Sequence, residues 1–189
     1  MKKRIIAIAL LCVAFANAQE SITYQKPSPE ILKLAEFERA PSVFMNSKRD
    51  WMVFSYRNTY KSLDDLNQDE MKLAGLRVNP VTNISSTVTY VNNLKTRKLT
   101  DKLESQVKGL PTNPKIAYLS FSPDETKLAF TNTTSDSVEL WIVDLATNTA
   151  KKISNSPLNA NLGSPFVWMN DSQQLLVKLI PADRKALID

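Results

Sequence analysis

The sequence predicts a mainly β protein: a partial β-propeller of four-stranded antiparallel blades, with a short N-terminal helix and a short inserted helix. Three observations carry this expectation. The segment from Ile116 to Ser154 reads as four strands joined by three short polar turns. Its first hairpin, FSPDETKLAF, returns at Phe166 as FVWMNDSQQLLV. Hydrophobic residues make up 43% of the 189 residues and charged residues 23%, a balance that supports a packed core rather than disorder.

The four strands are IAYLSFS, KLAFTNT, VELWIVDL and AKKIS, separated by PDET, TSDS and ATNT. Asp124, Asp136 and Asn148 stand in those turns, where short polar side chains bond nearby backbone amides. In the second copy Trp168 matches Phe121, Asn170 matches Pro123, Asp171 matches Asp124, Leu175 matches Leu128 and Val177 matches Phe130. The offset is 47 positions, inside the blade period of roughly 40–50 residues. VFMNSKRDWMVFSY fits more loosely: Val43–Met45 and Trp51–Tyr56 flank a polar turn, Asn46–Asp50. There Phe44, Asn46 and Trp51 align with Phe121, Pro123 and Leu128. Phe121, Phe130, Trp141 and Trp168 are assigned to packing between blades.

ILKLAEFERAP reads as the N-terminal helix, with Ser28 as N-cap, Pro29 at the first helical position and Pro41 as a stop. In YKSLDDLNQDEMKLAGL, Ser62 and Asp65 form a capping-box start. Leu63, Leu66 and Leu73 then recur at helical spacing, and Gly75 closes the inserted helix. VTNISSTVTYVNNLKTRKL is rich in β-branched residues and predicts strand, with Val88, Tyr90 and Leu94 as members and Asn92-Asn93 as a turn.

Residues 1–18 predict a secretory signal peptide, cleaved after Ala18. Lys2, Lys3 and Arg4 precede an apolar run from Ile5 to Ala16 and the small-residue site Ala16-Asn17-Ala18. The run is too short to span a bilayer comfortably, so the mature protein is expected to be secreted or periplasmic, without membrane attachment. Cleavage removes Cys12, the one cysteine, and with it any disulfide or thiolate site. It also takes Lys+Arg from 24 to 21 against 19 Asp+Glu, so the net charge falls from +5 to +2. No nucleic-acid partner is inferred from so small a charge.

The domain reading is a signal peptide at 1–18, an N-terminal extension with a short helix at 19–41, and an incomplete propeller at 42–189. Within the last, an irregular first blade covers about 42–110, a well-formed blade about 115–155, and the start of another about 163–189.

Little catalytic chemistry is available. The chain has no histidine, which excludes a Ser-His-Asp triad and a histidine metal site. Gly75, Gly109 and Gly163, its three glycines, are spaced wrongly for a nucleophile elbow, a dinucleotide fingerprint or a P-loop. Asp64, Asp65, Asp69 and Glu70 are read as the solvated face of the inserted helix rather than as acid–base groups. Lys95–Leu99 and Lys151-Lys152 are read as outward-facing. Asn83-Ile84-Ser85 and Asn132-Thr133-Thr134 match glycosylation sequons, a pattern common by chance. No catalytic, cofactor-binding or metal-binding residue is assigned, and no cofactor is expected.

The order of segments resembles a known family. YQKPSPEILKLAEFERAPSV is followed by YRNTYKSLDDLNQDEMKLAGLRVNPVTN, then by the blade, then by LNANLGSPFVWMNDSQQLLVKLIPADR. This arrangement is similar to the N-terminal portion of secreted bacterial serine peptidases of the prolyl oligopeptidase family, in the branch that includes glutamyl endopeptidases and acylaminoacyl or dipeptidyl peptidases. LAGLRVNP and LVKLIPADR are its specific parts. The resemblance implies a propeller that precedes an α/β-hydrolase domain bearing Ser, Asp and His in that order, and that restricts access to peptides. It implies peptide substrates acting through the full-length protein, and it places every catalytic residue outside this chain. The chain is therefore expected to be an N-terminal fragment, or a truncated gene product, that does not catalyse by itself. The competing readings are a non-enzymatic periplasmic propeller that binds a partner protein, and a short secreted β protein complete at this length.

Overall fold

The computed structural model describes residues 26–184. The expected signal peptide with its expected cleavage site, and Cys12, lie outside the described residues. The described residues fall into two units, which divide between Phe37 and Glu38.

In the first unit a helix spans Pro29–Ala35. Pro29 sits where its missing N–H costs nothing, because the first-turn amides lack helical partners in any case. Ser28 occupies the N-cap position without a side-chain cap bond. The helix ends at Ala35, well before Pro41, as the Glu36 N–H closes on the Leu32 carbonyl at 2.7 Å.

Among the described residues the second unit has twelve short strands. The first sheet has the order β1-β2-β5-β6, from Ser42–Met45, Trp51–Tyr56, Asn93–Lys98 and Ser105–Gln106. The second joins β7 (Ile116–Phe121), β8 (Lys127–Thr133), β9 (Val138–Asp144) and β10 (Thr149–Lys152), each antiparallel to the strand before it. Two hairpins complete the set: β3–β4 (Met71–Leu73, Leu76–Val78) and β11–β12 (Phe166–Trp168, Leu175–Val177).

The second sheet lies between its neighbours because both of its faces are apolar. Leu128, Phe130 and Val143 join Val53 and Leu94 of the first sheet in one core. Ala129, Val138 and Leu140 join Phe166 in a second, with Trp168, Leu175 and Val177 packed against it. Strand side chains alternate in direction, so odd and even residues of β8 feed different cores. The aromatic expectations hold. Phe130 is fully buried and stacks on Trp141 with centroids 6.2 Å apart. Phe121 packs on the first core, and the Trp168 indole donates to the Ser120 carbonyl.

Several local expectations fail for identifiable reasons. The inserted helix is only Leu63–Leu66, although its capping box forms as expected. Leu73 lies in β3 instead, and Gly75 with Ala74 makes the two-residue turn to β4, both at positive φ. Paired positive φ suits the right-handed twist of a tight hairpin, so helical leucine spacing lost to turn chemistry. Asp69 and Glu70 consequently leave the helix, and Glu70 meets Arg77 at 2.8 Å and Ser86 at 2.7 Å. Asn92-Asn93 is no turn: Asn93 begins β5 opposite Tyr56, and the Asn92 N–H already bonds the Tyr56 carbonyl. Val88 and Tyr90 lie outside any strand. The loop before them is shaped by Asn79, whose side chain accepts from the Val81 and Thr82 amides.

Candidate functional site: a row of three turns beside an apolar groove

Three turns share one geometry. The amides of Asn46, Ser122 and Met169 each donate to the carbonyl five residues on, in Trp51, Lys127 and Gln174. The amides of Arg49, Glu125 and Ser172 each donate to the carbonyl three residues back. Those same three residues have φ of 59°, 64° and 58°. The cross-strand pairs Met45↔Met52, Phe121↔Leu128 and Trp168↔Leu175 flank the turns. The 47-residue repeat is therefore real in backbone geometry. The alignment of the first hairpin is corrected by one position: Met45, not Phe44, corresponds to Phe121. A shift of one residue moves a strand's side chains to the opposite face, so the correction decides which residues pack.

The turns dock on one another. The Glu125 carboxylate receives the Ser47 amide at 2.8 Å, the Lys48 amide at 3.2 Å and Asn46 Nδ2 at 2.9 Å, with the Ser47 hydroxyl also bonded. Lys48 Nζ donates to the Asp124 carbonyl at 2.8 Å. One turn further on, the Asp124 amide donates to Ser172 Oγ at 2.9 Å and Lys127 Nζ to the Ser172 carbonyl at 3.1 Å. No local signal marks Glu125 or Ser172 for this role. The 47-position offset of the second copy gives them one shared position.

Asp124 behaves as the turn residue its position predicts. The Ser122 hydroxyl, the Thr126 amide and the Thr126 hydroxyl hold its carboxyl down to about 2. Asp136 also bonds its own turn, through Thr134 and Ser137. Asn148 does not. Its side chain reaches the first sheet instead, accepting from Thr96 Oγ1 and donating to the Gln106 carbonyl.

A pH dependence follows. A folded-state pKa below the unfolded value of about 3.9 stabilises the protein above that value and loses the contribution as pH falls through about 2. Glu125 is shifted in the same direction, chiefly by the Ser47 hydroxyl. Stability is thus expected to fall between about pH 4 and pH 2, and Asp124→Asn should flatten the decline. Thermal melts of both proteins across that range provide the check, and parallel curves would refute it.

The remaining charges are mostly structural. Lys115 bonds Asp65 at 2.7 Å and Asp64 at 3.2 Å. Burial raises the Asp65 pKa, but the bonds from Lys115 and Ser62 outweigh it and leave the pKa lowered. Arg97 faces outward as expected, paired with Met52 on the side of the first sheet opposite Val53 and Leu94. Its guanidinium lies over the Phe54 ring, 5.6 Å from the centroid, and contacts Met52 Sδ. Lys151 and Lys152 are exposed as expected, and Lys152 pairs with Glu139 at 2.7 Å. Both sequon asparagines are buried: Asn83 bonds Arg184 and the Val81 carbonyl, and Asn132 bonds Lys115 and Glu139. The Asn83–Arg184 bond also joins the two segments, LAGLRVNP with its following turn and LVKLIPADR, that carry the family resemblance.

A groove of about 760 Å³ opens between the second sheet and β11–β12. Leu140, Ile142, Ile153, Trp168 and Leu175 form its apolar wall, and Lys127 and Asp144 stand at its edge. Asp144 is engaged by the Thr147 amide and hydroxyl. The groove can shelter an apolar side chain or strand. Among the described residues no cluster of three metal-binding side chains occurs.

No family model matches the chain. Over 173 residues, 85% of its length, the chain is 32% identical to a protein described as a chloroplastic glutamyl endopeptidase of Arabidopsis thaliana. A protein of the same description from Oryza sativa subsp. japonica is 32% identical over 176 residues, 86% of the chain. The chain spans only 18% and 19% of these curated relatives. Among solved structures, a candidate 6-phosphogluconolactonase from Bacteroides fragilis covers 75% of the chain and is itself covered over 51%, at 15% identity and a TM-score of 0.32. That likeness is too slight to define the fold.

Proposed function

We propose that this chain is the N-terminal β-propeller part of a secreted serine peptidase. In this reading the remainder of the protein carries an α/β-hydrolase domain, and the propeller admits peptides to it while excluding folded proteins. The similarity to the two glutamyl endopeptidases over most of the chain carries the proposal. The share of those relatives that the chain spans is that of an accessory portion. The three equivalent turns and the stacked sheets supply a physical basis for blades in series. Export rests on the predicted signal peptide at residues 1–18.

Peptide hydrolysis would proceed through an acyl-enzyme on a serine beyond this chain. Cleavage after glutamate is the specificity proposed for the whole protein, by the description of its relatives. The propeller's contribution would be selection by access.

The test uses a fluorophosphonate probe, which labels activated serines. The chain alone should remain unlabelled, whereas a protein extended by the downstream reading frame should be labelled and should cleave a glutamyl peptide. Specific labelling of the chain alone, or a downstream frame without a G-x-S-x-G element followed by Asp and His, would overturn the proposal.

A further inference from the structure

The insertion between β2 and β5, residues 57–92, leaves the first sheet and returns to it. Its two ends meet where Tyr56 pairs with Asn93. Between those ends it touches the second sheet. Asp64 and Asp65 of its helix hold Lys115, the residue before β7, at 3.2 and 2.7 Å. Val91 and Ile116 exchange amide-to-carbonyl bonds of 2.9 and 2.8 Å. The insertion also reaches the chain that carries the β11–β12 hairpin. Ile84 pairs in parallel with Ala160, and the Ala160 amide donates to the Asn83 carbonyl at 2.9 Å. Residues 158–160 lead towards β11 and are tied again beyond β12. There Leu158 pairs with Leu179, and the Asn159 amide donates to the Lys178 carbonyl at 2.8 Å.

The far contact is locked in place. Ile84, Leu158 and Ala160 are buried in the second core with Leu140 and Phe166. Asn83 has a φ of 57°, a left-handed conformation that asparagine adopts more readily than most residues. Its amide donates to the Asn79 carbonyl at 3.0 Å and its Nδ2 to the Val81 carbonyl at 3.1 Å, while its Oδ1 accepts from Arg184. Backbone and side chain of this residue are thus both engaged.

Stacked repeats contact their neighbours, so one can open while the others stay closed. The contacts of Glu125 and Ser172 follow that rule, each joining one turn to the turn before it. The insertion breaks it, because chain anchored at both ends in the first sheet is buried beside the root of the β11–β12 hairpin. Parting that hairpin from the second sheet pulls Ile84 out of the second core. Parting the first sheet from the second breaks the Val91–Ile116 pair and the Lys115 ion pairs. We propose that residues 57–92 act as a strap that makes the first sheet, the second sheet and the β11–β12 hairpin open as one body. A corollary rests on the peptidase reading: peptides do not enter by separation of these sheets. The strap itself does not depend on that reading.

Native-state hydrogen exchange in increasing urea tests the strap without reference to activity, so its outcome stands whether or not the longer protein is a peptidase. In the parent chain the amides of β5, β8, Ala160 and Lys178 should exchange through one common opening with one urea dependence. Two variants separate the strap from the core it enters. Ile84→Ala and Leu140→Ala each remove a buried aliphatic side chain from the second core. Leu140→Ala should accelerate all of these sites together, because the strap remains seated. Ile84→Ala should accelerate Ala160 and Lys178 by about tenfold or more beyond β5 and β8, through a smaller opening of their own. Asn83→Ala leaves the core filled and should produce the same split more weakly. Independent opening of Ala160 and Lys178 in the parent chain would overturn the proposal. So would the same exchange pattern in Ile84→Ala and Leu140→Ala, or an Asn83→Ala variant whose sites stay together.

Discussion

Phe130→Ala is expected to destabilise the second unit by about 3–5 kcal/mol, the range for truncating a large, fully buried aromatic. Phe130 is 0% exposed, pairs with Trp141 across β8–β9 and lies in the core shared by the first and second sheets. Its removal leaves a cavity where both sheets converge, and the backbone ladders on either side limit collapse. Small domains are stable by only about 5–15 kcal/mol, so the variant should lose roughly a fifth or more of its stability. Val43→Ala, on an exposed face, should change stability by no more than about 0.5 kcal/mol. Urea titration followed by tryptophan fluorescence compares the two, since Trp51 and Trp141 pack against the same core. A loss below about 1 kcal/mol for Phe130→Ala would mean that the sheets do not depend on this core.

The second large effect is at Gly109. This residue follows β6 at φ 70°, and a Cβ there would lie 2.7 Å from the Ala150 carbonyl oxygen. That oxygen belongs to β10 of the second sheet. The close approach is fixed by two bonds: the Lys108 amide to the Asn148 carbonyl at 3.0 Å and the Ala150 amide to the Lys108 carbonyl at 2.7 Å. Gly109→Ala therefore meets backbone at a sheet-to-sheet junction. Gly75 offers a control, because it also has positive φ but has nothing within 4 Å of where a Cβ would stand. Gly75→Ala should cost about 1 kcal/mol, from the left-handed conformation alone. Gly109→Ala should cost roughly 2–4 kcal/mol, as strain and displacement of the junction combine. Hydrogen exchange at Lys108 and Ala150 should accelerate in that variant and stay unchanged in Gly75→Ala. Equal costs for the two would show that the junction yields without penalty.

Much of the architecture was legible from residue order. The four strands from Ile116 to Ser154 are each set by a short alternating apolar run and ended by a polar turn, and both signals act within a few residues. The repeat at Phe166 was legible for the same reason, because Phe121↔Leu128 and Trp168↔Leu175 occupy one place in the same hairpin. The capping box at Ser62 is likewise a contact three residues long. What failed was a local signal opposed by another local signal. The spacing of Leu63, Leu66 and Leu73 favoured helix, while Ala74-Gly75 favoured a tight turn, and the turn prevailed.

The sequence by itself determined that this chain is β-rich, repeats a hairpin and contains no histidine. Those properties depend on composition and near-neighbour spacing. Only the tertiary structure decided the one-residue register of the first hairpin, the reach of Asn148 across sheets, the burial of both sequon asparagines and the docking of Glu125 on a turn 78 positions earlier. These features depend on which face of one sheet meets which face of the next, and that is settled by the summed packing of two cores rather than by any short stretch of chain.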